Sequence, residues 1–254
     1  MARYEFATHR LFLADDLANG QIIALDQPRS NYLVNVLRMP EGGRLLVFNG
    51  RDGEWEAALT QAHRKAATIT ALQQTRAQTP ASPIRYAFAP IKSARLDFMV
   101  QKAVEMGAGT LEPVITRRTQ VSRLAHDRMV ANVIEAAEQC GILAPPEVRS
   151  ELTLEKWLAA LSLATTLIFC DEDAEITDPV AALRARPSID NPVILIGPEG
   201  GFDESERQAM LARANVIRLS LGPRILRADT AAIAALAAVQ IAIGDWRKEA
   251  QTKT

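Results

Sequence analysis

The chain has 254 residues, a formal net charge of −1, and 48% hydrophobic against 23% charged residues, the make-up of an ordinary globular protein with a sizeable core. No apolar run reaches the ~18–20 residues of a membrane span, and residues 1–6 hold no apolar signal core. His9, His63 and His126 are too scattered for a metal site, and Cys140 and Cys170 build no disulfide framework, which fits a reducing cytoplasm.

Residues 10–13, 21–25, 44–48, 54–59 and 67–72 are short apolar runs between turn residues and predict five strands. Asn49-Gly50 and Asp52-Gly53 supply a loop suited to positive φ between the third and fourth. One helix interrupts them, with Ser30 as its N-cap, Leu33, Val34, Val36 and Leu37 on its apolar side, and Met39-Pro40 as its stop. These elements make a small barrel-like module over residues 1–75, and the polar, proline-bearing stretch 76–83 is a linker.

From residue 84 strand and helix alternate. Strands are predicted over 84–89, 110–115, 165–170, 193–196 and 216–221, and helices over 94–106, 128–139, 154–161, 179–185, 203–214 and 230–246. Asp203 with Glu206 three residues on is a capping-box pattern. Such alternation implies βαβ units and a mainly parallel sheet covered on both faces, so 84–254 is an α/β domain.

Special backbone residues are densest after the strands at 193–196 and 216–221. Ile196-Gly197-Pro198-Glu199-Gly200-Gly201 follows a buried strand and runs into a helix N-terminus, whose free N–H groups suit polar or anionic atoms. It has neither the Gly-Lys-Ser/Thr of a phosphate loop nor the spacing of a dinucleotide loop. A tight connection without a ligand remains the plain alternative. The second loop, Gly222-Pro223-Arg224-Ile225-Leu226-Arg227, carries two arginines that share a side if the loop makes one helical turn. A local pair between one of them and Asp229 or Glu199 is the competing expectation.

These two segments, with Leu219-Ser220-Leu221 before the second and Ala228-Asp229-Thr230 after it, closely resemble the RsmE-type rRNA uridine-N3 methyltransferases of the SPOUT superfamily. Lys92, Asp97 and Gln101–Gly107 are similar to that family's first helix motif, and Glu135-Ala136-Ala137-Glu138-Gln139 to another; Arg10-Leu11-Phe12, Val36-Leu37-Arg38 and Asn49-Gly50 match its N-terminal markers. The resemblance covers nearly the whole chain. It implies a PUA-like β-barrel RNA-binding domain before a SPOUT-type parallel sheet with a trefoil knot, S-adenosyl-L-methionine as methyl donor, and a cytoplasmic homodimer acting on 16S rRNA within the assembled small subunit. It places the cofactor against Cys170, Ile196, Gly197, Pro198, Glu199, Gly200, Gly201, Leu219, Leu221, Gly222, Ile225 and Leu226, with Arg224 and Arg227 acting on the uridine. The chain departs from the family at Asp229, where Glu is common, at Ile142-Leu143, where many members carry arginine, and at Asn31-Tyr32, where His is frequent.

Residues 76–128 hold 9 basic and 4 acidic groups, while 129–200 hold 4 and 12, an asymmetry that accompanies a polyanion-binding face or merely different solvated helix faces. Arg10, Arg38, Lys92, Lys102, Arg117 and Arg118 are the expected RNA contacts, with Arg123 as a weaker candidate. A nucleotide-dependent α/β enzyme and a non-catalytic RNA-binding factor are the rival classes. The missing phosphate fingerprints argue against the first, and the intact loop motifs against the second.

Overall fold

The computed structural model describes residues 8–121, 123–175 and 178–247; the expectation for residues 1–6 lies outside the described residues. The chain divides into two compact units, Met1–Ala81 with Ala137–Pro145, and Ser82–Ala136 with Pro146–Thr254.

The first unit holds β1 (Arg10–Phe12), β2 (Ile22–Ala24), α1 (Gln27–Asn31), β3 (Arg44–Phe48), β4 (Glu54–Gln61) and β5 (Thr68–Arg76). They form one sheet in the order β1-β3-β4-β5-β2, antiparallel except for the parallel β1–β3 pair. Alternation sends Leu45, Val47, Leu59 and Ile69 inward to meet Leu13, Ile23 and Leu33 in one core. α1 begins earlier than expected and continues into a π-helical turn, Tyr32–Val36. Its N-cap is Asp26, which accepts from the Arg29 N–H at 2.9 Å, with Pro28 in the first turn. Ser30 is therefore no cap: it is buried, donates to the Leu25 carbonyl at 3.2 Å and accepts from the Ala67 N–H at 2.9 Å.

The second unit contains β6 (Arg85–Phe88), α2 (Ser93–Glu105), β7 (Thr110–Ile115), β8 (Glu147–Val148), β9 (Leu152–Thr153) and α4 (Leu154–Ala160). It continues with β10 (Leu167–Cys170), α5 (Pro179–Arg184), β11 (Val193–Ile196), α6 (Glu204–Leu211), β12 (Val216–Leu219) and α7 (Ala228–Ala242). α3 (His126–Cys140) starts in this unit, and its last residues belong to the first. All strand pairings are parallel, in the order β12-β10-β11-β6-β7-β8, with β9 added to β7. The two-residue strands β8 and β9 were too short to show as periodic runs.

Ala87, Val114, Phe169 and Leu195 pack under Trp157 of α4 and Met210 of α6 on one face. α7 packs against α2 and β11 on its own side, burying Ala232, Leu236 and Val239. β11 is apolar and buried throughout because both its faces are covered. The chain passes from β10 to its neighbour β11, then returns across β10 to form β12 on the far side. Three successive strand ends thus lie side by side, each followed by a loop, the arrangement that makes ligand crevices in open α/β sheets.

Candidate active site

The loops after β10, β11 and β12 enclose a cavity of about 300 Å³. In the register, Cys170 on β10 is level with Leu219 on β12, and Phe169 with Leu195 on β11. Ile196, Leu219, Leu221 and Leu226 give it apolar walls, and Gly197, Gly201 and Gly222 bring backbone to its edge. Gly222 has φ +99° and Gly201 φ +70°, a region where side chains bring strain. Gly197 is small for another reason: a Cβ there would stand 2.6 Å from the Phe202 ring. That ring folds back over the glycine and meets Phe169 edge-on at 5.2 Å between centroids.

Asp171, Glu172, Asp173 and Glu204 form an acidic side of the cavity, with Arg207 among them. Asp171 is 5% exposed and accepts hydrogen bonds from Arg207 Nη2 at 3.1 Å and Arg218 Nε at 2.7 Å. Burial alone would raise its pKa, but the bonds from Arg207 and Arg218 outweigh it and hold the carboxyl below its ordinary value. The same bond to Asp171 pushes Arg207 above its own ordinary value. Burial, with the Asp171 charge adding to it, pushes the Cys170 thiol up to about 12, so at neutral pH it stays a thiol and a poor nucleophile.

Arginines from outside brace the β11 loop. Arg118 Nη1 donates to the Gly200 carbonyl at 2.7 Å, and Arg95 pairs with Glu199 at 3.0 Å. Arg117 bonds Asp203 at 3.1 Å, and its N–H donates to Glu206 at 2.8 Å. The expected capping box at Asp203 and Glu206 is present and starts α6.

Of the residues expected at the cofactor, Cys170, Ile196, Gly197, Pro198, Glu199, Gly201, Leu219, Leu221, Gly222, Ile225 and Leu226 line the cavity. Gly200 faces instead a groove of about 20 Å³ shared with Lys92, Arg118 and Gln120. Ile225 is 95% exposed, so it borders the cavity without closing over it. The loop bends without a helical turn, and this separates the two arginines: Arg224 lines the cavity, while Arg227 stands at the N-cap of α7 outside the lining. The expected local pair is not formed, since Glu199 is taken by Arg95 and Asp229 accepts from the Thr230 N–H at 2.8 Å.

The expected RNA contacts divide. Arg38 and Lys92 are exposed, Arg38 at φ +52°. Arg117 and Arg118 are exposed while bracing the β11 loop, and Lys102 is held by Glu105 at 2.7 Å beside the Phe98 ring. Arg10 is corrected: it is 9% exposed and bonded at 2.9 Å to Glu54, which also takes Arg76 at 2.7 Å. Its guanidinium neutralises a buried carboxylate and does not face solvent. Phe202, Glu204 and Arg207 were missed as cavity residues; the resemblance implies the loop after Phe169-Cys170 at the cofactor, but its Asp171, Glu172 and Asp173 were not singled out.

A family model described as an RNA methyltransferase domain matches residues 77–240, and one described as an RNA methyltransferase PUA domain matches residues 25–72. The ribosomal RNA small subunit methyltransferase E of Rickettsia conorii is 29% identical across 92% of this chain and 95% of its own. The crystal structure of a methyltransferase of the same name from Neisseria gonorrhoeae, bound to S-adenosyl methionine, is 30% identical. It superposes with a TM-score of 0.77, covering 92% of this chain and 97% of that one. A Legionella pneumophila chain described as a methyltransferase and solved with SAM gives a TM-score of 0.80 at 29% identity, covering 92% and 98%.

Proposed function

We propose that this chain, which belongs to the RNA methyltransferase family, moves a methyl group from S-adenosylmethionine to N3 of one uridine in the 16S rRNA of the small ribosomal subunit. The observation that carries this reading is the single cavity built by three loops at adjacent ends of parallel strands, with Arg224 on its lining. Relatives that match nearly the whole chain are named ribosomal RNA small subunit methyltransferases, and two solved neighbours hold the donor.

The residues present fit the donor. About 300 Å³ lies at the lower end of small-molecule sites. Apolar Ile196, Leu219, Leu221 and Leu226 suit a purine, the backbone around Gly197 and Gly222 suits its polar edge, and Glu172, Asp173 and Glu204 suit a cationic ligand. When bound, S-adenosylmethionine supplies an electrophilic methyl on a sulfonium.

The chain's own residues must bring N3 into line, exclude rival nucleophiles and offset charge on the base. N3 lies on the Watson–Crick edge, so the base must be unpaired or turned out before it is reached. The N3–CH3 bond forms as the S–CH3 bond breaks, and the N3 proton leaves to solvent or a neighbouring group. Arg224 stabilises negative charge on the uracil oxygens as that proton departs. A guanidinium has no acceptor lone pair to offer, so Arg224 is no general base. Arg227, outside the cavity, takes a flanking phosphate. Cys170, kept as a thiol, does not compete for the methyl group.

The first unit, with β5 running to Arg76, is the PUA-like β-barrel that holds rRNA, the linker is the stretch after β5, and the second unit is the SPOUT domain with a trefoil knot. Arg38, Lys92, Arg117 and Arg118 supply phosphate contacts, and the chain works in the cytoplasm as a homodimer on the assembled subunit. The test is methyl transfer to small subunits, with the product base identified by mass spectrometry. Arg224→Ala should keep cofactor affinity and lose at least ~10²-fold in kcat, the scale of one lost charge-stabilising donor. Methylation at another base, or an unchanged rate in Arg224→Ala, would refute the respective assignment.

A further inference from the structure

Asp171 touches all three parts of the cavity wall. It sits in the loop after β10. Arg207, which grips it through Nε at 3.3 Å and Nη2 at 3.1 Å, belongs to α6, the helix into which the β11 loop runs. Arg218, bonded through Nε at 2.7 Å, belongs to β12, just before the third loop. The Asp171 N–H donates to the Leu219 carbonyl at 3.2 Å, and Arg218 Nη2 donates to the Asp173 carbonyl at 2.6 Å. The remaining charges around the group are Asp173 and Glu204, each 3.9 Å from Arg207.

We propose that Asp171 is a positioning residue for the cofactor: one buried carboxylate, held by Arg207 and Arg218, fixes the spacing of the loops after β10, β11 and β12. This rests on reading the cavity as the S-adenosylmethionine site. The three loops come from different strands, and only those after β11 and β12 turn through glycines, so parallel pairing sets where each begins and not where each ends. Charge-assisted bonds to a buried carboxylate are directional enough to set the ends. A cavity preorganised in this way spends less binding energy on ordering its walls, so the carboxylate acts on affinity without meeting the reacting atoms.

Asp171→Asn preserves size and removes the charge that both arginines need. S-adenosylhomocysteine binding is measured by calorimetry on the full-length protein, thermal unfolding on the ligand-free protein, and methyl transfer at saturating donor. Asp171→Asn should weaken binding at least tenfold, raise KM for the donor in parallel, and leave kcat within threefold. Arg218→Met, at a position where the side chain is 38% exposed, should fold normally and weaken binding at least threefold. Arg85→Met is the control: it breaks the Arg85–Glu112 pair (2.7 Å) of the same unit and should lower the unfolding temperature without changing affinity.

If the wild-type protein binds no S-adenosylhomocysteine, the cofactor reading itself fails. If it binds and Asp171→Asn stays within twofold, or Arg85→Met weakens binding as much, the positioning role is overturned. Should Asp171→Asn not fold, Arg218→Met decides, and an unchanged affinity there overturns it.

Discussion

Gly197 and Gly222 both border the cavity, and the structure requires glycine at each for a different reason, which makes a paired substitution informative. At Gly197 a Cβ would lie 2.6 Å from Phe202 Cε2 and 3.0 and 3.1 Å from Cδ2 and Cζ. Its φ is not in the left-handed region, so the whole penalty of Gly197→Ala is steric. The ring cannot yield freely, because its other side meets Phe169. Overpacking of this kind costs about 1–3 kcal/mol, and losing the edge-on pair adds roughly 0.5–1.5 kcal/mol. At Gly222 nothing lies within 4 Å of the added carbon, but φ is +99°. Gly222→Ala therefore carries backbone strain of about 1–3 kcal/mol, less the ~0.4–1 kcal/mol that alanine gains by restricting the unfolded chain. Urea unfolding of Gly197→Ala, Gly222→Ala and both in a Phe202→Leu background forms a double-mutant cycle. Phe202→Leu should recover at least ~1 kcal/mol of the Gly197→Ala loss and none of the Gly222→Ala loss. Equal coupling, or no coupling at Gly197, would refute the steric argument.

Glu54→Gln should destabilise the protein by about 3–5 kcal/mol, because the buried carboxylate that takes bonds from both Arg10 and Arg76 becomes a neutral amide. Burial alone would raise the Glu54 pKa, yet the bonds from Arg76 and Arg10 leave it below its ordinary value. Its stabilisation is therefore complete above the ordinary carboxylate range near ~4.3 and lost as pH falls through the depressed value. The stability gap between wild type and Glu54→Gln should narrow below the ordinary carboxylate range and close only below the depressed value, and a constant gap would contradict the assignment. Tyr86 is fully buried, and its hydroxyl has no hydrogen-bond partner among the described residues. Burial, with lesser contributions from Cys170 and Asp229, pushes its pKa well above the ordinary value, so it stays neutral. Tyr86→Phe should be neutral or gain up to about 1 kcal/mol, and a loss beyond that in urea titration would reveal a partner for the hydroxyl.

Local signals in the sequence carried much of the fold. β3 and β11 have the expected bounds because each is an apolar run cut off by turn residues, and β7 matches its expected bounds although Glu112 and Pro113 interrupt its apolar residues. The Asp203 and Glu206 box was legible because both halves lie three residues apart. Ser30 misled for the converse reason: its partners Leu25 and Ala67 lie in other segments, and Asp26 before Pro28 was the cap. Long side chains failed wherever their partners were distant. Arg10 meets Glu54 across 44 residues, and Asp171 meets Arg207 and Arg218 across 36 and 47.

The same physics explains why the cavity was read from its glycines and not from its charges. A glycine at a strand end acts within its own loop, so its meaning survives in a short window of sequence. A carboxylate after a strand acquires its meaning only once strand order is known, and here β12 lies beside β10, not beside the preceding β11. That placement brings Arg218 to Asp171 and the Ser220–Leu226 loop to the Gly197–Gly201 loop. Arg224 and Arg227 follow the same rule. Three residues apart, they would share a side on a helix, but the bend after Gly222 and the start of α7 at Ala228 leave one on the cavity and the other off it. If Arg224 acts on the base and Arg227 on phosphate, that division follows from where α7 begins.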